Sequence, residues 1–161
     1  MAPDWLLSNS SIDKKDILRL ASEAPYPGSN ADAVQIIELA EAYYEAAISL
    51  FAGARKGQKL SYAPARLCSI HAIELYLNAF LRKEGELPQQ VRGRLHNIAD
   101  ESFVSQLKLR KKTADHLQAM TERREYLISR YAPEQMSQHT ELNRLQATLE
   151  EIRKKTRIHV T

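Results

Sequence analysis

Four polar side chains, His71, Glu74, Asn78 and Arg82, follow one another at intervals of three, four and four residues in an otherwise apolar stretch. In an α-helix that spacing keeps them within about 80° of one another, on one face. Such a line can do two kinds of work. It can border a cleft and hold a nucleotide or an RNA phosphate, with His96 and Arg130 brought in from elsewhere. It can also fix how helices register, with Glu74 paired to Arg82 or Arg130 and His71 hydrogen-bonded in the core, because a buried ion pair specifies geometry without any ligand. Other chemistries find little support. The histidines are dispersed, with no His-x-x-x-His or Glu-x-x-His pattern, so neither a metal site nor a cofactor is expected. Cys68, between Leu67 and Ser69, reads as a packing residue rather than a nucleophile. No glycine-rich phosphate loop occurs. Arg123–Arg124 and Arg110–Lys111–Lys112 could touch nucleic acid, although no aromatic residues are interleaved for base stacking.

The elements that must position these residues are helices. All 5 glycines and all 6 prolines lie outside four long segments, roughly Asn30–Ala52, Ala65–Glu84, Leu107–Tyr131 and Gln138–His159. Glycine and proline cost a helix interior about 1 and about 3 kcal/mol, so their absence over such lengths argues for helix. No run alternates apolar and polar residues with β-branched enrichment, so strands are not expected. The second segment carries Leu67, Ile70, Ile73, Leu75, Tyr76, Leu77, Phe80 and Leu81 around well over half its circumference, which predicts a central helix wrapped by neighbours. In the first, Val34, Ile37, Tyr44, Ile48 and Phe51 form a stripe opposite Glu38, Glu41 and Glu45, with Asn30 or Ser29 as its N-cap. The third places Leu117, Met120, Arg124, Leu127 and Ile128 near one side. The last spaces Leu142, Leu145, Leu149 and Ile152 by three, four and three, and ends in basic turns that suit the negative end of the helix dipole. Short helices are expected over Lys14–Ala24, capped by Ser11 or Asp13, over Asp100–Leu109, and as a fragment within 84–97. The chain therefore reads as all-α, an up-and-down bundle of four long helices with additional short ones. Residues 1–28 are an extension and 29–161 the bundle domain.

Composition sets the class. A chain of 161 residues with 43% hydrophobic and 27% charged side chains can bury one core. A single cysteine excludes an intrachain disulfide and suits a reducing compartment. The N-terminus lacks a basic segment followed by an apolar run, and no stretch approaches about eighteen apolar residues, so a cytoplasmic protein without a membrane span is expected. The net charge of +3 conceals an asymmetry: residues 1–80 carry 7 Lys/Arg and 9 Asp/Glu, and residues 81–161 carry 16 and 11. The basic half could favour phosphate or RNA, or could be no more than salt-bridged helix surface.

HAIELYLNAFLRKEG, then RLHNI, then EYLISRYAP resemble, in order and spacing, the motifs of the HEPN domain (higher eukaryotes and prokaryotes nucleotide-binding). The helix of pattern E-L-x-L-K-A-x-L corresponds to Glu74–Leu81, the glycine to Gly85, the H-D-L-like element to His96–Ile98, and the Y-x-x-x-R-Y-P helix end to Tyr126–Pro133. The resemblance spans Asn30–Thr161. Asn78 stands where the family often has lysine, Asn97 where aspartate is common, and Ala132 separates Tyr131 from Pro133.

What the resemblance implies is a HEPN-like bundle that commonly forms a homodimer and binds nucleotide, RNA or a protein partner. A small nucleotidyltransferase and an antitoxin are the protein partners it suggests. The ligand-binding set carried by this reading is His71, Glu74, Asn78, Arg82, His96 and Arg130, without catalysis. The alternative it implies is a metal-independent endoribonuclease of toxin or defence type. Catalytic members use an arginine and a histidine four to six residues apart, the histidine as base on the ribose 2′-hydroxyl and the arginine against the phosphorane charge. Arg66/His71, Arg110/His116 and Arg153/His159 have such spacing, and the family's late placement of the motif points to Arg153 and His159.

Overall fold

The computed structural model describes residues 13–15 and 25–161. The chain divides into two units, Met1–Asn30 and Ala31–Thr161. In the first, Lys14 and Lys15 are helical and the Asp13 carboxylate accepts the Lys15 N–H at 3.3 Å, as a cap does. Ser11 and most of the expected 14–24 helix lie outside the described residues.

The second unit is all-α, with no strand among the described residues. Its first helix, α1 (Ala33–Gly53), starts at a capping box: Asp32 accepts the Gln35 N–H at 2.8 Å and Gln35 accepts the Asp32 N–H at 3.0 Å. The cap is therefore Asp32 rather than Asn30 or Ser29, because only Asp32 has a glutamine three residues on. A 3₁₀ turn (Lys59–Tyr62) leads into α2 (Ala63–Lys83), with Pro64 in its first turn. Gly85, at φ 94°, closes α2 in the left-handed conformation, letting the Glu86 N–H reach the Leu81 carbonyl at 3.0 Å. The short helices α3 (Pro88–Gly93) and α4 (Glu101–Gln106) follow.

The expected helix 107–131 is two. Lys108 is left-handed at φ 50°, α5 spans Lys111–Glu122, Arg124 is left-handed at φ 54°, and α6 spans Glu125–Tyr131. The break turns Glu125 inward, fully buried, where it accepts the Thr140 N–H at 2.6 Å and the Thr140 hydroxyl at 3.1 Å. Arg124, expected on the apolar side, is exposed. A 3₁₀ segment (Pro133–Gln138) precedes α7 (Leu142–Val160), which starts later than its periodicity suggests.

Packing centres on α2, which contacts α1, α6 and α7. Ile73, Tyr76, Leu77 and Phe80 are at most 1% exposed and meet Leu145, Leu149 and Ile152 of α7 and Phe103 of α4 in one core. The wrapping is incomplete. The side bearing Leu67, His71, Glu74, Leu75 and Asn78 is only half-buried, so the polar seam borders an open face. Helix α1 sits rotated from expectation. Ile37, Ala40 and Ala47 are its buried residues, whereas Val34 and Ile48 are 47% and 42% exposed. Glu41 is turned inward, accepting the Tyr76 hydroxyl at 2.6 Å and the Arg153 guanidinium at 2.8 and 3.0 Å. This junction ties α1, α2 and α7 together. Among the described residues no helix is long and apolar enough to cross a membrane.

Candidate functional site

The open side of α2 meets the loop after α3. Arg94 anchors that loop: its guanidinium binds Glu86 at 2.5 Å and Asp100 at 2.6 Å and lies 5.5 Å over the Phe103 ring. Leu95 and His96 then take left-handed backbones, φ 47° and 67°. Two consecutive non-glycine residues in that region cost on the order of 1–2 kcal/mol each, and such conformations concentrate at functional sites.

The turn delivers the His96 ring to two surfaces. Its Nδ1 lies 3.0 Å from both oxygens of the Glu74 carboxylate, and the ring stacks on Tyr126 of α6, centroids 4.6 Å apart and planes 27° apart. Against a carboxylate, Nδ1 carries the proton and donates it. Nε2 has no partner among the described residues, on a side chain that is 41% exposed. Glu74 thus pairs with neither Arg82 nor Arg130, as the sequence had suggested, but with a histidine 22 residues further on.

His71 lies one turn before Glu74. Tyr43 of α1 meets its ring edge-on, centroids 4.4 Å apart, and its buried Nδ1 has no hydrogen-bond partner among the described residues. Burial pulls its pKa below the usual imidazole value. The Glu74 charge opposes that shift, while Arg130 and His96, both within electrostatic reach, add to it. Arg130 is exposed in the last turn of α6. Asn78 lies half-buried on the same face of α2. Arg82 does not join them: it reaches the Glu86 carbonyl at 2.9 Å and the Ala31 carbonyl at 3.4 Å, securing the end of α2 to the chain before α1. The fold therefore gathers His71, Glu74, His96 and Arg130, leaves Asn78 alongside, and assigns Arg82 elsewhere.

In each of the three arginine–histidine pairs the two side chains have different partners. Arg153 grips Glu41 and lies 4.1 Å over the Tyr44 ring, while His159 hydrogen-bonds Glu84 at 2.5 Å and packs on Phe80. Arg110 binds Glu151 at 2.9 Å, whereas His116 is buried between Thr148 at 2.8 Å and Thr140 at 2.7 Å. Arg66 is 8% exposed and feels the Glu125 charge, while the His71 ring meets Tyr43.

Arginines and histidines that do share surroundings come from different segments. Burial, followed by the charges of Arg144, Arg66 and Arg123, pulls His116 down to about 4. Burial and the Arg66 charge pull His139 down to about 4. Both imidazoles are neutral and fully employed. His139 Nδ1–H donates to the Met136 carbonyl and its Nε2 accepts from the Ser129 hydroxyl, each at 3.1 Å. Neither ring keeps a nitrogen for acid–base work. No sequence signal joined these residues, since the threonines that hold His116 lie 24 and 32 residues beyond it.

Cys68 is half-buried, and burial pushes its thiol up, away from the thiolate a nucleophile needs. No group of three or more histidine, cysteine or carboxylate side chains among the described residues could hold a metal ion. Comparison with family models, curated proteins and solved structures gives no match to this chain.

Proposed function

We propose that residues 31–161 form a HEPN-like helical domain that binds a nucleotide or an RNA segment on the face of His71, Glu74, His96 and Arg130. The observation that carries this reading is the left-handed turn at Leu95–His96. It holds a half-exposed imidazole against Glu74 and on Tyr126, beside His71, which has the Arg130 guanidinium in electrostatic reach. Strain of this kind has no packing purpose at Leu95, which is 78% exposed. A cationic side chain, a stacking ring and an oriented imidazole are the parts a phosphate-linked base requires. The basic excess of residues 81–161 favours the same ligand class. The domain acts as a homodimer, in keeping with Leu39 and Leu50, which are 49% and 38% exposed on the side of α1 that carries Tyr43. A nucleotidyltransferase or antitoxin partner belongs to the same reading.

A second reading is favoured by one feature, the unoccupied Nε2 of a carboxylate-oriented histidine. In a metal-independent ribonuclease, His96 Nε2 would take the ribose 2′-hydroxyl proton as that oxygen attacks the adjacent phosphorus. The P–O5′ bond breaks, the 5′-oxygen leaves with a proton from water, and a 2′,3′-cyclic phosphate remains, with Arg130 against the phosphorane charge. This reading uses His96 and Arg130 in place of Arg153 and His159.

Incubating several RNAs in EDTA with wild type and His96→Ala separates the two. Binding without cleavage is the expected result. Cleavage lost in His96→Ala would establish the second reading, and absence of both binding and cleavage would refute the site.

A further inference from the structure

A cavity of about 570 Å³ opens between the Lys59–Tyr62 turn, the first turns of α2, the Pro133–Gln138 segment and the start of α7. None of its walls belongs to the His96 face. Arg66 lines it with a side chain more than nine-tenths buried, and its Nη1 has no hydrogen-bond partner among the described residues. A guanidinium presents five N–H donors and cannot give up its charge, so a buried one with an idle nitrogen calls for an anion.

The neighbouring Glu125, whose charge Arg66 feels, makes no salt bridge to it. Its carboxylate is held by the Thr140 N–H and hydroxyl, and burial pushes its pKa up against those hydrogen bonds and the Arg66 and Arg123 charges. Lys56 and Lys59 stand exposed at the cavity wall with no ion pair among the described residues. At the start of α7, Glu141 caps without a side-chain hydrogen bond, so the first-turn N–H groups at Leu142 and Asn143 add their partial positive charge to the same wall. Glu141, exposed, is the carboxylate on that wall.

We propose that this cavity binds a terminal phosphomonoester, with the phosphate on Arg66 and Lys56 and Lys59 closing over it. Three cationic side chains against one wall carboxylate match a dianion better than a single carboxylate. The volume exceeds that of a bare phosphate and leaves room for the attached organic group beside Tyr62 and Met136. The same chemistry is offered by a free mononucleotide and by the 5′-phosphate end of an RNA strand.

Isothermal titration with inorganic phosphate, adenosine 5′-monophosphate and a short RNA bearing either a 5′-phosphate or a 5′-hydroxyl tests this. Inorganic phosphate should bind. The phosphomonoester ligand that binds more tightly, mononucleotide or 5′-phosphorylated RNA, identifies the source. The double variant Lys56→Gln/Lys59→Gln, both exposed and safe for folding, should weaken binding about tenfold or more, the loss of two charge-assisted contacts. Arg66→Lys should weaken it further. No heat with inorganic phosphate, or unchanged phosphate affinity in the lysine double variant, would each overturn the proposal.

Discussion

Arg153→Ala separates a structural arginine from a catalytic one. In the wild type Arg153 makes a two-pronged contact with Glu41 and covers the Tyr44 ring, at side-chain exposures of 26% for Arg153 and 24% for Glu41. Burial alone would raise the Glu41 pKa. The hydrogen bonds from Arg153 and Tyr76 outweigh it and hold the carboxyl below its usual range. Removing the guanidinium leaves that carboxylate with the Tyr76 hydroxyl at 2.6 Å and Arg157 at 3.7 Å. A partly buried charge-assisted pair is worth about 1.5–3 kcal/mol, and the contact over Tyr44 about 0.5–1 kcal/mol. With the remaining partners and solvent access discounted, a loss of about 2 kcal/mol is expected, or roughly 5–8 °C in Tm for a domain of this size. Urea titration followed by circular dichroism measures it. Because the folded carboxyl is depressed, its contribution is complete above the unfolded value near 4.5 and disappears as pH falls through the lower folded value. The deficit of Arg153→Ala should therefore shrink in acid. Unchanged stability combined with lost RNA binding or cleavage would refute this account of Arg153.

Acid should act in two further windows. His116 and His139, held neutral with values of about 4, bind protons more readily when unfolded, so stability falls as pH drops from about 6.5 to about 4. His139→Asn should flatten part of that slope in urea titrations run across the range. Burial would raise Glu151, but Lys155, Thr113 and Arg110 hold it down at about 2, so its contribution, on the order of 3 kcal/mol, is lost between about 4.5 and about 2. Glu151→Gln should be the less stable protein at pH 7 and converge on the wild type near pH 2. Leu95→Gly removes left-handed strain at an exposed position and should raise stability by up to about 1 kcal/mol. A loss of stability there would mean the turn is not strained.

The helices were legible because glycine and proline stay out of them, and the core seam of α7 because Leu145, Leu149 and Ile152 repeat at helical spacing and are all buried. The rotation of α1 was not. Ala40 and Ala47 form its interface, and alanine scarcely registers in a hydrophobic pattern, while Glu41 reads as a surface residue until Tyr76 and Arg153 meet it. Nor was the break at Arg124, where no glycine or proline marks the left-handed residue and the cause is Glu125 binding Thr140. At the site, the polar face of α2 followed from spacing alone, and the motif resemblance singled out His96. Their junction, Glu74 to His96, depends on a loop conformation that Arg94 fixes through Glu86 and Asp100. Arg82 shares the spacing of the seam yet lies at the helix end, where free carbonyls claim it.

The central claim is that the Leu95–His96 turn presents a ligand-binding face. Fluorescence anisotropy of a labelled single-stranded RNA, titrated at fixed salt with wild type, His96→Ala and Arg130→Ala, tests it most directly. The account predicts binding by the wild type, weakened about tenfold or more in each variant, with unfolding free energies from urea titration within about 0.5 kcal/mol of the wild type. Equal binding by all three proteins, or no binding by any, would contradict it.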